Sequence, residues 1–225
     1  MTKDKRIKTI CNMVFTPVVA EIGADHGYIT KELFEQNKIT NAFLTDISSK
    51  CLQKALTNFK NSSYNQNCTF LVGDGLQALS QVENKQNIGQ VIIAGMGGLE
   101  IIKILKDEQA NFYNQFVLQP QRNVVELRQF LQDNNYFICS DRMVKEGKIY
   151  YNVLKVKKVD KQVLLTQDEI LFGKSNLVEF NPDFVDYLKF EIAKLTEILS
   201  KKDMPEKLTY LKQLQNILTN KTKGV

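Results

Sequence analysis

The sequence predicts an α/β domain built on a seven-stranded sheet, five strands parallel and two antiparallel, followed by a C-terminal α-helical hairpin. Three observations predict it. Up to about residue 135, short apolar runs alternate with helical patterns, the rhythm of βαβ units on a parallel sheet. Two β-rich runs then flank Glu146-Gly147, which reads as a hairpin of antiparallel strands. From residue 166 onward strand signals stop, and apolar residues recur at alternating spacings of three and four, the seam of packed helices. The chain therefore divides into residues 1–160 and residues 161–225.

The parallel strands fall at 18–22, 42–46, 69–72, 90–94 and 116–119. Their uninterrupted Val, Ile, Leu and Phe character suits strands buried on both faces. Helices fall between them at 29–36, 49–60, 75–79, 99–106 and 123–133. Ser48-Ser49 supplies an N-cap ahead of the stripe Cys51, Leu52, Ala55, Leu56 and Phe59. The closing strands are 136–145 and 148–158. Asn181-Pro182 then opens a long helix, with Pro in the tolerated first turn. Val185, Leu188, Ile192, Leu195 and Leu199 form a coiled-coil seam, and Asp203-Met204-Pro205 ends it. Met204, Leu208, Leu211 and Leu218 form a weaker seam, interrupted by Gln215, on a second helix.

Composition narrows the function classes. With 225 residues, 43% hydrophobic and 24% charged, the chain has ordinary globular values. No apolar run approaches the ~20 residues of a membrane span. Residues 1–17 are basic and lack the long apolar stretch of a signal peptide, so a cytoplasmic location is expected. Cysteines 11, 51, 68 and 139 are scattered, which points to reduced thiols rather than a disulfide framework or zinc site. His26 is the sole histidine, so no His-based metal site is expected. The net charge of +5 permits a nucleic-acid partner without requiring one. Residues 161–225 carry 10 Lys against 9 acids, and all four arginines (Arg6, Arg122, Arg128, Arg142) lie in the first part. A phosphate-binding face is expected there.

The candidate site lies at the strand ends. The first strand runs into Glu21-Ile22-Gly23-Ala24-Asp25-His26-Gly27, the second ends at Asp46-Ile47, and the third reaches Gly73-Asp74-Gly75. Each acid alone would serve as a cap or turn residue. Three carboxylates at successive strand ends instead suggest a ligand with hydroxyl and amino groups. Asp25 stands where the middle glycine of a dinucleotide loop would admit a pyrophosphate, and a carboxylate there repels one. Asp46 is placed to accept ribose hydroxyls, and Asp74 an exocyclic amino group. The fourth strand ends in Ala94-Gly95-Met96-Gly97-Gly98, where glycines permit close backbone approach. The fifth ends in Gln119-Pro120, with Gln119 offering a donor and an acceptor to a base edge.

The pieces E-I-G-A-D-H-G-Y-I-T, T-D-I, G-D-G-L, I-I-A-G-M-G-G, L-Q-P-Q and E-G-K-I-Y-Y resemble the TrmK family of bacterial tRNA (adenine(22)-N1)-methyltransferases. The likeness covers residues 1 to about 160 in order. The Asn/Asp-Pro-Pro-aromatic motif of most amino-group methyltransferases is missing. Glu21 stands where Asp is commoner. The resemblance implies a class I, Rossmann-like methyltransferase domain with a C-terminal coiled coil. It implies S-adenosyl-L-methionine as cofactor, held by Glu21, Gly23, Asp25, Gly27, Asp46, Ile47, Asp74, Gly75 and Ala94 to Gly98. Asp25 and His26 are the expected catalytic pair. Tyr28, Gln119, Pro120, Arg122, Tyr150 and Arg6 are expected to meet tRNA. No oligomeric partner is implied. A small-molecule methyltransferase and a non-catalytic RNA-binding protein are the alternatives.

Overall fold

The computed structural model describes residues 4–223. The sheet contains β1 (Val18–Ile22), β2 (Asn41–Asp46), β3 (Cys68–Val72), β4 (Gln90–Met96), β5 (Gln115–Pro120), β6 (Tyr136–Glu146) and β7 (Ile149–Lys158). Its order is β3-β2-β1-β4-β5-β7-β6. The first five strands pair in parallel, and β7 is antiparallel to β5 and β6. The order reverses between β1 and β4. Ligands bind in the crevice beyond the carboxyl ends at such a switch point.

Two apolar layers enclose the sheet. On one face α1 (Lys5–Asn12), α2 (Tyr28–Glu35) and α3 (Ser49–Phe59) bury Ile10, Leu33 and Phe59 with Val19 and Val153. On the other, α4 (Gly98–Leu105) and α5 (Val124–Asp133) bury Ile101, Leu127 and Leu131 with Ile22 and Val91. Helix α1 was not expected. Its apolar stripe is only Ile7, Ile10 and Cys11, broken up by lysines and Arg6. Lys3, the first of that basic stretch, lies outside the described residues. Segment 75–79 is a 3-10 helix, Gly75–Gln81, rather than an α-helix. Strand β4 continues past Ala94. Ala94 pairs with Gln119 and Met96 with Pro120, so Gly95 is a bulge, and its φ of +79° favours glycine.

The C-terminal residues form α6 (Gln167–Phe172), α7 (Lys174–Glu179), α8 (Pro182–Lys201) and α9 (Pro205–Lys223). They seal the sheet edge. Strand β6 is the last strand, and its outward amides must find partners. Those of Asp141, Met143 and Lys145 donate to Ser175 Oγ (3.0 Å), Asn176 Oδ1 (2.8 Å) and Asp183 Oδ2 (3.0 Å). Arg128, expected among the phosphate-binding arginines, is instead a buried tie. It forms a two-pronged bond to Asp141 (2.6 and 3.2 Å) and donates to the carbonyls of Ile170 and Leu171. Asn181 caps α8 as expected, accepting from Phe184 N. Helices α8 and α9 form a hairpin packed through Leu188, Leu195, Leu211, Leu214 and Ile217. The seam on α9 differs from the expected one. Leu208 is exposed, and Leu214 and Ile217 are buried in its place. Leu214 and Ile217 directly flank Gln215 and Asn216, so a strict heptad count passes over them.

Candidate active site

The carboxyl ends of β1, β2, β3 and β4 enclose a cleft of about 340 Å³. Gly23, Asp46, Ile47, Asp74, Gly75 and Met96 line it, six residues expected from the sequence. Asp46 is aimed by backbone amides. Ser48 N donates to its Oδ1 (2.8 Å) and Asp25 N to its Oδ2 (3.3 Å). Each carboxylate oxygen retains a lone pair for a ligand hydroxyl. Asp74 opens the 3-10 helix without bonding back to it and lies 3.8 Å from Lys103. Thr45 Oγ1, fully buried at the cleft, has no hydrogen-bond partner among the described residues. An orphaned hydroxyl beside two carboxylates fits a ligand that brings polar groups into the cleft. The walls formed by Ile22, Ile47, Met96 and Ile104 fit an aromatic base.

Helix α4 adds Glu100, Lys103 and Ile104 to the lining, which sequence reasoning missed. Their i, i+3, i+4 spacing is the signal that would have found one helix face. Glu100 also accepts from Gly97 N at 2.7 Å, fixing the start of α4. Gly98 is required by packing. A Cβ there would stand 2.3 Å from Asn123 O. Gly98 N donates to Arg122 O at 2.8 Å, joining the loops after β4 and β5. Arg122 itself is exposed, with its Nε 3.3 Å from where a Gly97 Cβ would be.

The catalytic candidates stand at the rim. Asp25 has φ +41°, a left-handed conformation that Asp tolerates better than most residues. Its half-exposed carboxylate pairs with Lys54 Nζ at 2.9 Å, and His26 Nε2 lies 3.6 Å away. The Lys54 hydrogen bond holds the Asp25 carboxyl below the usual range, keeping it ionised at neutral pH. Tyr28 is 54% exposed and stacks on His26, with centroids 5.0 Å apart and planes 3° apart. Together the two rings form a flat surface beside the carboxylate.

Several expected contacts are used differently. Glu21 is buried and does not line the cleft. It accepts from Thr30 N at 3.1 Å and from the Thr30 hydroxyl. It thereby caps α2, whose N-cap Gly27 has no side chain. Burial pushes its carboxyl up to about 7. Gly27 is buried against Leu44 and Phe59. Ala94 packs on the α1 side of the sheet, and Pro120 is buried at the end of β5. Gln119 is fully buried and its amide is occupied. Its Oε1 accepts from Gly95 N (3.2 Å) and Arg6 (3.0 Å), and its Nε2 donates to Pro120 O. Gln119 therefore braces the β4 bulge rather than reading a base. Arg6 points inward to Gln119 and lies 5.5 Å from the Tyr151 ring centre. Tyr150 faces α8, bonded to Asp186 and packed on Tyr187 and Phe190. Strand alternation puts Tyr150 and Tyr151 on opposite faces.

Among the described residues no group of His, Cys, Asp and Glu is placed to hold a metal, and no helix is long and apolar enough to cross a membrane. A sequence profile of the TrmK family, tRNA (adenine(22)-N(1))-methyltransferase, matches residues 19–223. A candidate tRNA methyltransferase of Mycoplasma genitalium is 39% identical over 172 residues, 75% of this chain and 76% of that one. The Bacillus subtilis tRNA (adenine(22)-N(1))-methyltransferase is 26% identical over 160 residues, 70% of this chain and 66% of that one. The structure of M. capricolum TrmK with S-adenosyl-homocysteine superimposes with a TM-score of 0.83 at 25% identity, covering 97% of this chain and 99% of that one. With sequence, fold and cleft in agreement, the chain belongs to the TrmK family of tRNA (adenine(22)-N(1))-methyltransferases.

Proposed function

We propose that this protein transfers a methyl group from S-adenosylmethionine to N1 of an adenine in tRNA, at nucleotide 22 as the family name implies. The observation that carries the reading is the cleft itself. Asp46 and Asp74 close an apolar slot from successive strand ends. This donor set suits an adenosine with free ribose hydroxyls and an amino group. It does not suit a pyrophosphate, which the ionised Asp25 would repel. When bound, S-adenosylmethionine supplies an electrophilic methyl group on a sulfonium. Asp46 would hold the ribose and Asp74 the adenine amino group of that cofactor.

The residues at the rim supply the rest. Adenine N1 bears an in-plane lone pair that is free near neutral pH, so no strong base has to act on it first. Holding the base in line accounts for most of the acceleration. N1 lies on the pairing edge, so the base must be unpaired or flipped out to reach the cleft. The exposed His26–Tyr28 stack offers a surface on which it would lie. The methylated base is cationic. Asp25 is ionised there and stabilises positive charge as it develops, while Lys54 partly offsets its field. A tRNA substrate also puts the protein in the cytoplasm.

The experiment is incubation of the full chain with S-adenosylmethionine and unmodified tRNA, followed by mapping of reverse-transcription stops. A new stop caused by N1-methyladenosine is expected. Methyl incorporation without any such stop, or with RNA absent, would overturn the reading.

A further inference from the structure

A second hollow lies away from the cleft, between α1 and strands β6 and β7. It encloses about 330 Å³, and its lining includes Thr9, Asn12, Phe15, Ser140, Arg142 and Lys155. Two cations and three neutral hydrogen-bonding side chains face it, and no carboxylate lines it among the described residues. The edge strand is shaped to form it. Ile138 pairs with Val156 and Ser140 with Lys155, so Cys139 is an extra residue at a bulge. The bulge brings Cys139 and Ser140 to the hollow together. Phe15 leaves 69% of its surface exposed there, with Lys155 Nζ 3.8 Å from its ring centre. Arg142 lines the same hollow and is paired with Glu179.

The hollow is not isolated. A neighbouring one of about 410 Å³ shares Thr9 and Arg142 and adds Lys5 and Lys8. Its one carboxylate, Asp183, already accepts from Lys145 N. Lys155, Arg142, Lys8 and Lys5 therefore form a cationic track, on which Glu179 offsets Arg142 and Glu146 accepts from Lys5 N at 2.7 Å. The track ends beside Arg6, which is joined through Gln119 to the β4 loop at the cleft. A free phosphate would need one such cation. A row of them, beginning at an exposed aromatic ring, matches successive phosphates and a base of a single chain of nucleic acid.

We propose that this groove is a second RNA-contact site. It holds the backbone of the same tRNA whose adenine enters the cleft, with Lys155 and Lys8 on phosphates and Phe15 against a base. The proposal rests on the tRNA reading above, and it adds the path by which the substrate lies on the protein.

The test uses the full chain with Lys155→Ala, Lys8→Ala and Lys155→Arg, and unmodified tRNA as the probe. Each alanine variant should lower the slope of log affinity against log salt by about 0.7–0.9, the loss of one phosphate contact. It should raise the KM for tRNA with little change in kcat, and leave S-adenosylmethionine affinity unchanged. Lys155→Arg should restore the slope. As an independent readout, Cys139 is exposed at the hollow. Saturating tRNA should slow its alkylation by N-ethylmaleimide at least fivefold, while adenosine monophosphate or S-adenosylmethionine should not. An unchanged salt slope overturns the proposal, as does Cys139 left unprotected by tRNA. Equal protection by the mononucleotide makes the hollow a small-ligand site and also overturns it. If the wild-type chain methylates tRNA while these measurements fail, the groove falls and the function stands. If the wild-type chain neither binds nor methylates tRNA, both fall.

Discussion

Replacing Asp46 by Ala tests the cofactor cleft at its best-defined point. The carboxylate does two jobs. It accepts from Ser48 N and Asp25 N, which sets the backbone on both sides of the cleft. In the proposed reading it also presents the same two oxygens to the ligand. A hydrogen bond to a charged acceptor contributes about 1.5–3 kcal/mol. Its loss should weaken cofactor binding by roughly ten- to 150-fold. The two freed amides are only partly buried and turn to water, so the cost to folding should stay near 1 kcal/mol. Asp46→Asn separates the effects. Its carbonyl oxygen still serves Ser48 N, but its amino group opposes Asp25 N, donor against donor. Affinity should fall between the wild type and the alanine variant. Titration calorimetry with S-adenosylhomocysteine measures both, with thermal melts to show that the fold is kept. A dissociation constant within twofold of wild type for Asp46→Ala would refute the assignment of Asp46 to the ribose.

Three further outcomes follow from the same geometry. Glu21 has its carboxyl raised from 4.5 to about 7 by burial, so the folded state binds a proton that the unfolded state has lost. The contribution of this one group is therefore most favourable below about pH 4.5 and falls by about 3 kcal/mol as pH rises through 7. Glu21→Gln should flatten that slope in denaturant titrations at a series of pH values, and parallel curves would contradict it. Asp141→Ala strands the Arg128 guanidinium in the interior and should cost about 3–5 kcal/mol. A loss under 1 kcal/mol in chemical denaturation would show that the tie is dispensable. Asp25→Ala should lower turnover roughly tenfold, more than it lowers cofactor affinity. Equal losses would move Asp25 from the reacting charge to ground-state binding.

The parts of the fold set by local pattern were legible in the sequence. All five parallel strands occur where apolar runs predict them, because strands buried on both faces need continuous Val, Ile and Leu. Asp46 and Asp74 line the cleft because strand ends at a switch point converge on one crevice. What could not be read is the direction of each side chain and its partner. Gln119 and Glu21 have the residue types of ligand contacts, but tertiary packing commits them to Gly95 and Thr30. Tyr150 and Tyr151 are adjacent in sequence, and which of them faces α8 and which faces Arg6 depends on how β7 sits in the sheet. The partners of the β6 edge, Ser175, Asn176 and Asp183, lie more than thirty residues along the chain. Their pairing therefore has no local signature. The C-terminal residues consequently act as the cover of a sheet edge. Ending the chain near Asp160 would expose three edge amides and strip Arg128 of its partners at the Ile170 and Leu171 carbonyls. Such a truncation would therefore test stability before it tested RNA binding.

The central claim is methylation of one adenine in tRNA, and the most direct measurement is methyl transfer to paired transcripts. One carries adenine at nucleotide 22, the other guanine at that position, with the remainder of the tRNA unchanged. Labelled methyl from S-adenosylmethionine should enter the first transcript to about one equivalent and leave the second at background. Equal labelling of the two transcripts, or labelling of neither by a protein that binds the cofactor, would contradict the account.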